Sequence, residues 1–187
     1  KGKLCLTQVV AVAGPSVLVH ERGYYKIRKG QQIGEIIASK FQSLQSPIRT
    51  IAGDPLIGDI CQAGDVLRLD QTVICAFPEG EKREFLHFFR LGAHKYTASG
   101  AYLSGHMDIS KRRWDFSTSQ HGEERAFIDG SVYERVMPMR ILPMHLVRAI
   151  MGDDRDLAEE LGLLEVHHED FALPEFVCPC KIPMMDI

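Results

Sequence analysis

The order of secondary structure elements is set by residues 4–39, LCLTQVVAVAGPSVLVHERGYYKIRKGQQIGEIIAS. Residues 4–13 are rich in Val and alternate near their middle, which is typical of a strand, and Gly14-Pro15 ends it. Residues 17–27 predict a second strand, with either a turn or a bulge at 21–23. Two consecutive strands therefore open the chain.

A short helix and further strands follow these two. Residues 31–39 predict the helix, because their isoleucines recur at helical spacing. Between residues 48 and 77 the pattern returns to short strands, separated by Gly-Asp pairs. This order is that of a β-grasp unit, in which one helix packs on a small mixed sheet. The sequence predicts an α+β fold with a β-grasp domain over residues 1–78.

The rest of the chain divides into an irregular connector and a helical end. Residues 79–130 begin with a charged turn at 79–82 and repeat Gly and Ser between aromatic runs, which predicts an irregular β connector. Residues 131–187 predict a helical domain that is incomplete at its end. Its helices are delimited by Pro, Asp and Gly at 143–152, 153–162 and 167–174. The predicted buried faces are Leu146, Val147, Ile150 and Met151 on the first helix, and Leu157, Ala158 and Leu161 on the second.

Composition and charge exclude several classes of protein. The net charge is −3 and the basic residues are dispersed, so no nucleic-acid partner is expected. The short basic cluster at 111–114 favours a solvated hairpin end, with an anionic partner or a membrane surface as the alternative. No apolar run reaches the length of a membrane helix, so membrane contact is expected to be peripheral. Because the sequence has neither an initiator Met nor a signal peptide, we expect a piece of a longer protein.

Five cysteines are scattered along the chain, mostly in apolar runs. An odd, scattered set predicts reduced thiols packed as small hydrophobic side chains, which suits the cytosol. Structural zinc needs four ligands, and the closest pair, Cys178-Pro179-Cys180, offers two. A strained redox disulfide is the alternative. The favoured interpretation is a loop after a helix with at least one exposed thiol, made moderately reactive by Lys181.

The His-His-Glu-Asp stretch at 167–170 carries side chains that bind metals. Adjacent residues on one helix point about 100° apart, so these side chains are not expected to converge on one ion. A solvated helix start, with the acidic residues near the positive end of the helix dipole, is favoured, and no metal site is predicted. The sequence also lacks a Gly-rich phosphate loop, a nucleophile elbow and a catalytic triad. It therefore predicts no catalytic residue and no bound cofactor.

Several motifs, in order along the chain, carry a resemblance to a known family. They are VVAVAGP (9–15), QTVICAFPEG (71–80), SVYERVMPM (131–139), LPMHLVR (142–148), AEELG (158–162), EDFAL (169–173) and FVCP (176–179). The series resembles the C-terminal half of the A subunit of bacterial Na⁺-translocating NADH:quinone reductases. The resemblance spans essentially the whole chain, is loose over 94–129, and departs at Cys180, where the family usually has Gly.

The resemblance implies a β-grasp domain of the soluble-ligand-binding type followed by a small helical domain. It implies a peripheral component of a respiratory complex that transfers electrons from NADH to ubiquinone and exports Na⁺, on the cytoplasmic side of the bacterial inner membrane. The expected partners are the other subunits, including the membrane subunits, which hold the NADH site, flavins and iron–sulfur centres. This part is expected to bind no cofactor, to have no independent activity and to help bind or position quinone. Cys178-Pro179-Cys180 is then a structural corner.

A quinone site needs an apolar slot and one or two hydrogen-bond donors for the carbonyl oxygens. Candidates are Met144, His145 and Phe176, with Cys178 close in sequence; the alternative is that all four only pack the helical domain. A non-catalytic docking module that holds subunits of a membrane complex together is the second functional hypothesis. A free-standing metal-binding protein is the third, and it predicts stoichiometric zinc or iron.

Overall fold

A computed structural model describes residues 2–41, 47–80, 89–108, 112–114, 116–119, 124–128 and 130–187. The chain forms two compact units. The sheet unit comprises Lys1–Phe88 and Arg113–Gln120, and the helical unit comprises Phe89–Arg112 and His121–Ile187. Residues of the predicted connector thus occur in both units, and the predicted domain boundaries stay predictions.

The described part of the sheet unit contains a five-stranded mixed sheet in the order β2-β1-β5-β3-β4. Strand β1 pairs antiparallel with β2 and parallel with β5, and β3 pairs antiparallel with both β5 and β4. Together with the helices, this sheet confirms the α+β class. The strands are β1 (Thr7–Ala13), β2 (Gly23–Arg28), β3 (Ile48–Ala52), β4 (Asp59–Cys61) and β5 (Val73–Pro78).

The strand predicted over 17–27 is wrong in its first half. A 3₁₀ helix at Val19–Glu21 precedes β2, so the alternative with a turn is the one observed. The Arg22 side chain holds this turn, since its Nε donates a hydrogen bond of 3.1 Å to the Val17 carbonyl. This hydrogen bond stabilises the turn that precedes β2, so the strand begins only at Gly23.

One face of the sheet carries the core of its unit. Alternate residues of the strands point to this face and pack against helix α1 (Ile33–Ile37). The presence of α1 confirms the helix predicted within residues 31–39. Gly34 allows α1 to approach the next turn, because a Cβ there would lie 2.8 Å from the Ala63 carbonyl oxygen. The buried residues include Val10, Val12, Ile27, Ile33, Ile36, Ile37, Ile74 and Ala76.

The helical unit contains α2 (Pro143–Met151), α3 (Arg155–Glu160) and α4 (Ala172–Val177). Pro at the start of α2 and Gly152 after it occur as predicted. The Asp154 carboxylate caps α3 by accepting from the Leu157 amide at 3.2 Å. Short 3₁₀ helices lie at Leu103–His106, Tyr133–Arg135, Leu163–Glu165 and His168–Phe171.

Parts of the helix predictions are wrong. Met151 and Leu157 were predicted to be buried but are exposed, and Met144 and Ala149 are buried on α2 instead. The third helix was predicted to end at Pro174, which in fact lies in the first turn of α4. That position tolerates proline, because an amide there has no acceptor within the helix.

The core of the helical unit surrounds Tyr133, which is fully buried. Leu146 and Val147 of α2, Ala158 of α3 and Phe171 pack in the same cluster. Among the described residues, no helix is both long and apolar enough to span a bilayer. Residues 81–82 of the predicted turn at 79–82 lie outside the described residues. Lys111 of the basic cluster also lies outside them.

Candidate functional site

A groove of about 450 Å³ lies between α2 and α3 of the helical unit. Helix α2 contributes residues at positions i, i+3, i+4 and i+7, which share one helix face. The turn after α2 brings α3 back beside it, since the Asp154 amide donates to the Ala149 carbonyl at 2.9 Å. The lining residues are His145, Arg148, Ala149, Gly152, Asp154, Leu157 and Leu161.

The groove combines apolar walls with two nitrogen donors. Leu157 and Leu161, one helical turn apart, form the apolar side with Ala149. His145 is exposed and offers a ring N–H, while Arg148 offers a guanidinium. The volume falls within the range of small-molecule sites, which are mostly apolar with a few polar groups. A small apolar molecule that carries hydrogen-bond acceptors suits such a site.

Arg148 is held in place by contacts on one side. Its guanidinium donates to the Phe127 carbonyl and lies 5.8 Å from the centre of the Phe127 ring. Because these contacts already hold the side chain, it loses little conformational freedom when a ligand binds. The Asp154 carboxylate is occupied by the Leu157 amide and is therefore less available to a ligand.

The four residues predicted to lie near quinone occupy different surroundings. Met144 and Cys178 are buried in the core of the helical unit. The Phe176 ring packs on Tyr96, with ring centroids 5.7 Å apart. His145 lies in the groove, so the structure does not bring all four together, and their role near quinone stays a prediction.

The residues that join His145 were missed. The signal for two of them was present in the sequence, because positions i+3 and i+4 from His145 are Arg148 and Ala149. Leu157 and Leu161 had been assigned to the core, and only the turn between the helices shows that they face the groove.

The predicted exposed thiol at Cys178-Pro179-Cys180 is wrong. The exposed fraction is 0% for Cys178 and 5% for Cys180. The Tyr133 hydroxyl lies 3.2 Å from Cys178 Sγ, and Cys180 Sγ donates to the Ala126 carbonyl at 3.2 Å. Burial raises the pKa of the Tyr133 hydroxyl well above its usual range, and the hydrogen bond with Cys178 is the second cause of this shift. Both thiols pack in the core, as expected of a structural corner.

The prediction that His167, His168 and Glu169 point apart is also wrong. One ligating atom from each side chain lies within 4.8 Å of those of the other two. His167 precedes the 3₁₀ helix His168–Phe171 and has extended backbone angles, φ −117° and ψ 152°. The 100° spacing of an α-helix therefore does not apply to it.

The fold and the groove place the chain among α+β proteins with a cleft large enough for a small molecule.

No protein-family model matches the chain. The A subunits of Na⁺-translocating NADH-quinone reductases from Chlamydia caviae and Chlamydia pneumoniae are each 36% identical to it over 100% of its length. The A subunit from Cellvibrio japonicus is 34% identical over 96% of the chain. These similarities confirm the resemblance to this family of A subunits. The chain spans about 40% of the length of these curated relatives.

Proposed function

We propose that the chain is part of the A subunit of a Na⁺-translocating NADH:quinone reductase, and that it helps to bind or position ubiquinone. In this proposal the complex moves electrons from NADH to ubiquinone and exports Na⁺. The NADH site, the flavins and the iron–sulfur centres lie in other subunits. The observation that carries the proposed role of this chain is the groove between α2 and α3, with its apolar wall and two nitrogen donors.

The residues that line the groove offer the contacts that a quinone head group needs. Leu157 and Leu161 offer apolar contact to the ring, and His145 and Arg148 offer N–H donors to the carbonyl oxygens. Reduction places negative charge on those oxygens, which the Arg148 cation stabilises. The groove is open to solvent along one side, so an isoprenoid tail can leave it without displacing the core.

The architecture supports a finer assignment of the sheet unit. A mixed five-stranded sheet with α1 packed on one face is compatible with a β-grasp domain of the soluble-ligand-binding type. We place the chain on the cytoplasmic side of the bacterial inner membrane as a peripheral component, in contact with other subunits of the complex.

The first test is calorimetric titration of the chain with a short-chain ubiquinone. We expect saturable one-to-one binding that is at least tenfold weaker in His145→Ala and in Leu157→Ser, because these remove a donor and part of the apolar wall. His20→Ala is the matched control, since His20 is an exposed histidine of the sheet unit. Equal affinity in the wild type and both groove variants would refute a quinone site in this groove.

The same variants are then assayed in the assembled complex. We expect an increased KM for ubiquinone with little change in NADH oxidation by an artificial acceptor, since the NADH site lies elsewhere. An unchanged KM in both variants contradicts a role of the groove in quinone binding. Because this assay includes every partner protein of the complex, it decides the question even where the isolated chain binds weakly.

A non-catalytic docking module is the second candidate, and one observation favours it. The sheet face opposite α1 exposes Val9, Tyr24 and Ile60. The strand register places Val9 and Tyr24 close together on the neighbouring strands β1 and β2, whereas Ile60 lies on the opposite edge strand, β4. Exposed apolar groups on a shared surface are typical of protein contacts. Val9→Glu is expected to reduce co-purification with the other subunits if docking is the function, whereas the groove variants are not.

A further inference from the structure

We propose that His167, His168 and Glu169 form a site for a divalent transition-metal ion of the Zn²⁺ class. This inference is independent of the proposed quinone function. It begins from the convergence of three donor side chains on the surface of the helical unit, where one ligating atom of each lies within 4.8 Å of the others. The donors around a tetrahedral zinc ion are about 3.3 Å apart, so small side-chain rotations suffice to enclose one.

The backbone brings the two imidazoles together. His167 is extended and His168 begins the 3₁₀ helix, so their rings lie side by side with centroids 4.1 Å apart. The next residue in the same turn, Glu169, adds a carboxylate. Three ligands from consecutive residues are thus presented by one turn whose backbone is already formed.

The neighbouring Asp170 leaves Glu169 as the available carboxylate. The Asp170 carboxylate accepts from the His167 amide at 2.8 Å, and the Asp170 amide donates to the His167 backbone carbonyl at 2.9 Å. These reciprocal bonds fix the start of the 3₁₀ helix. Both bonds use the backbone of His167, so a metal bound to its ring leaves them in place.

The donor set selects a class of ion. Two imidazole nitrogens and one carboxylate suit Zn²⁺, Ni²⁺ and Cu²⁺, whereas Ca²⁺ and Mg²⁺ prefer oxygen ligands throughout. All three side chains are exposed, so water completes the coordination, as at open zinc sites. The site is therefore expected to bind zinc reversibly and to discriminate against Mg²⁺.

The test is calorimetric titration with Zn²⁺ of the whole chain in a Cys5→Ser background, because Cys5 is exposed and a thiolate is itself a zinc ligand that would compete with the site. We expect one saturable site, weakened at least tenfold by His168→Ala and by Glu169→Gln. His20→Ala is the matched control, since His20 lies beside Glu21 and offers only two donors. Its affinity is expected to equal that of the parent. Circular dichroism verifies that each variant is folded.

Nuclear magnetic resonance gives a second readout that does not depend on affinity. The imidazole C–H resonances of His167 and His168 are expected to shift on adding Zn²⁺, because a bound cation withdraws electron density from both rings. The same addition is expected to leave the Leu157 amide, bonded to Asp154, in place. The proposal is overturned by the absence of saturable binding, by an affinity of His168→Ala and Glu169→Gln equal to that of the parent, or by unmoved imidazole resonances of His167 and His168.

Discussion

Leu146→Ala and Leu157→Ala are expected to differ sharply in their cost, although the sequence pattern assigned both leucines to buried helix faces. The exposed fraction is 0% for Leu146 and 42% for Leu157. Truncating a fully buried leucine costs about 2–5 kcal/mol, since transfer energy is lost and a cavity remains. Leu157 loses only about half of the transfer term of a fully buried leucine and leaves no enclosed cavity, so its substitution costs roughly 0.8–1.5 kcal/mol. Alanine suits a helix at least as well as leucine, so propensity does not account for the difference.

The assay is urea denaturation of the whole chain, followed by the helical circular dichroism signal. We expect Leu146→Ala to move the midpoint of the helical transition several times further than Leu157→Ala does, with little change in slope. A slope change signals an altered unfolded ensemble or a loss of two-state behaviour, and the comparison is then made on fitted free energies. Equal losses, or a larger loss in Leu157→Ala, would refute the packing described for α2 and α3.

Three further predictions concern a cap, a glycine and a carboxylate. Asp154→Ala is expected to cost about 1 kcal/mol in urea denaturation, because it removes the N-cap of α3, and Asp154→Asn should restore most of it. Gly34→Ala is expected to cost more than about 1 kcal/mol in the same measurement, because its Cβ would meet the Ala63 carbonyl; unchanged stability would contradict that approach. Hydrogen bonds from Arg49, then Thr118, lower the pKa of Glu79, so its contribution is full above the usual glutamate pKa and is lost as pH falls through the lowered one. Denaturation at a series of acidic pH values should show a shallower decline for Glu79→Gln.

The sequence predicted elements whose signal is local. Alternation near the middle of residues 4–13 and the spacing of the isoleucines in 31–39 correspond to β1 and α1. The pattern failed where another segment decides the outcome. Cys178 is buried because Tyr133, 45 positions earlier in the chain, packs against it. Nothing in the spacing of Cys178-Pro179-Cys180 indicates that partner.

Short helices explain the remaining errors in burial. Helix α2 is nine residues long, so its apolar positions extend around more than one face, and the neighbours select which face is buried. Met151 is the last residue of α2 and is exposed. In a longer amphipathic helix the apolar residues repeat over more turns, so the sequence alone indicates which face is buried. The orientation of α2 therefore had to come from the packed structure.

The same geometry decides which residues can act with His145. Met144 and His145 are adjacent on α2, so their side chains point about 100° apart. Met144 packs in the core of the helical unit, whereas His145 is exposed and lines the groove. The residues that share the face of His145 lie three and four positions further on, at Arg148 and Ala149. Substitutions that test quinone binding should therefore combine His145 with Arg148. Met144 and Cys178 lie in the core, so the activity of their variants should be compared with the measured stability of the same variants.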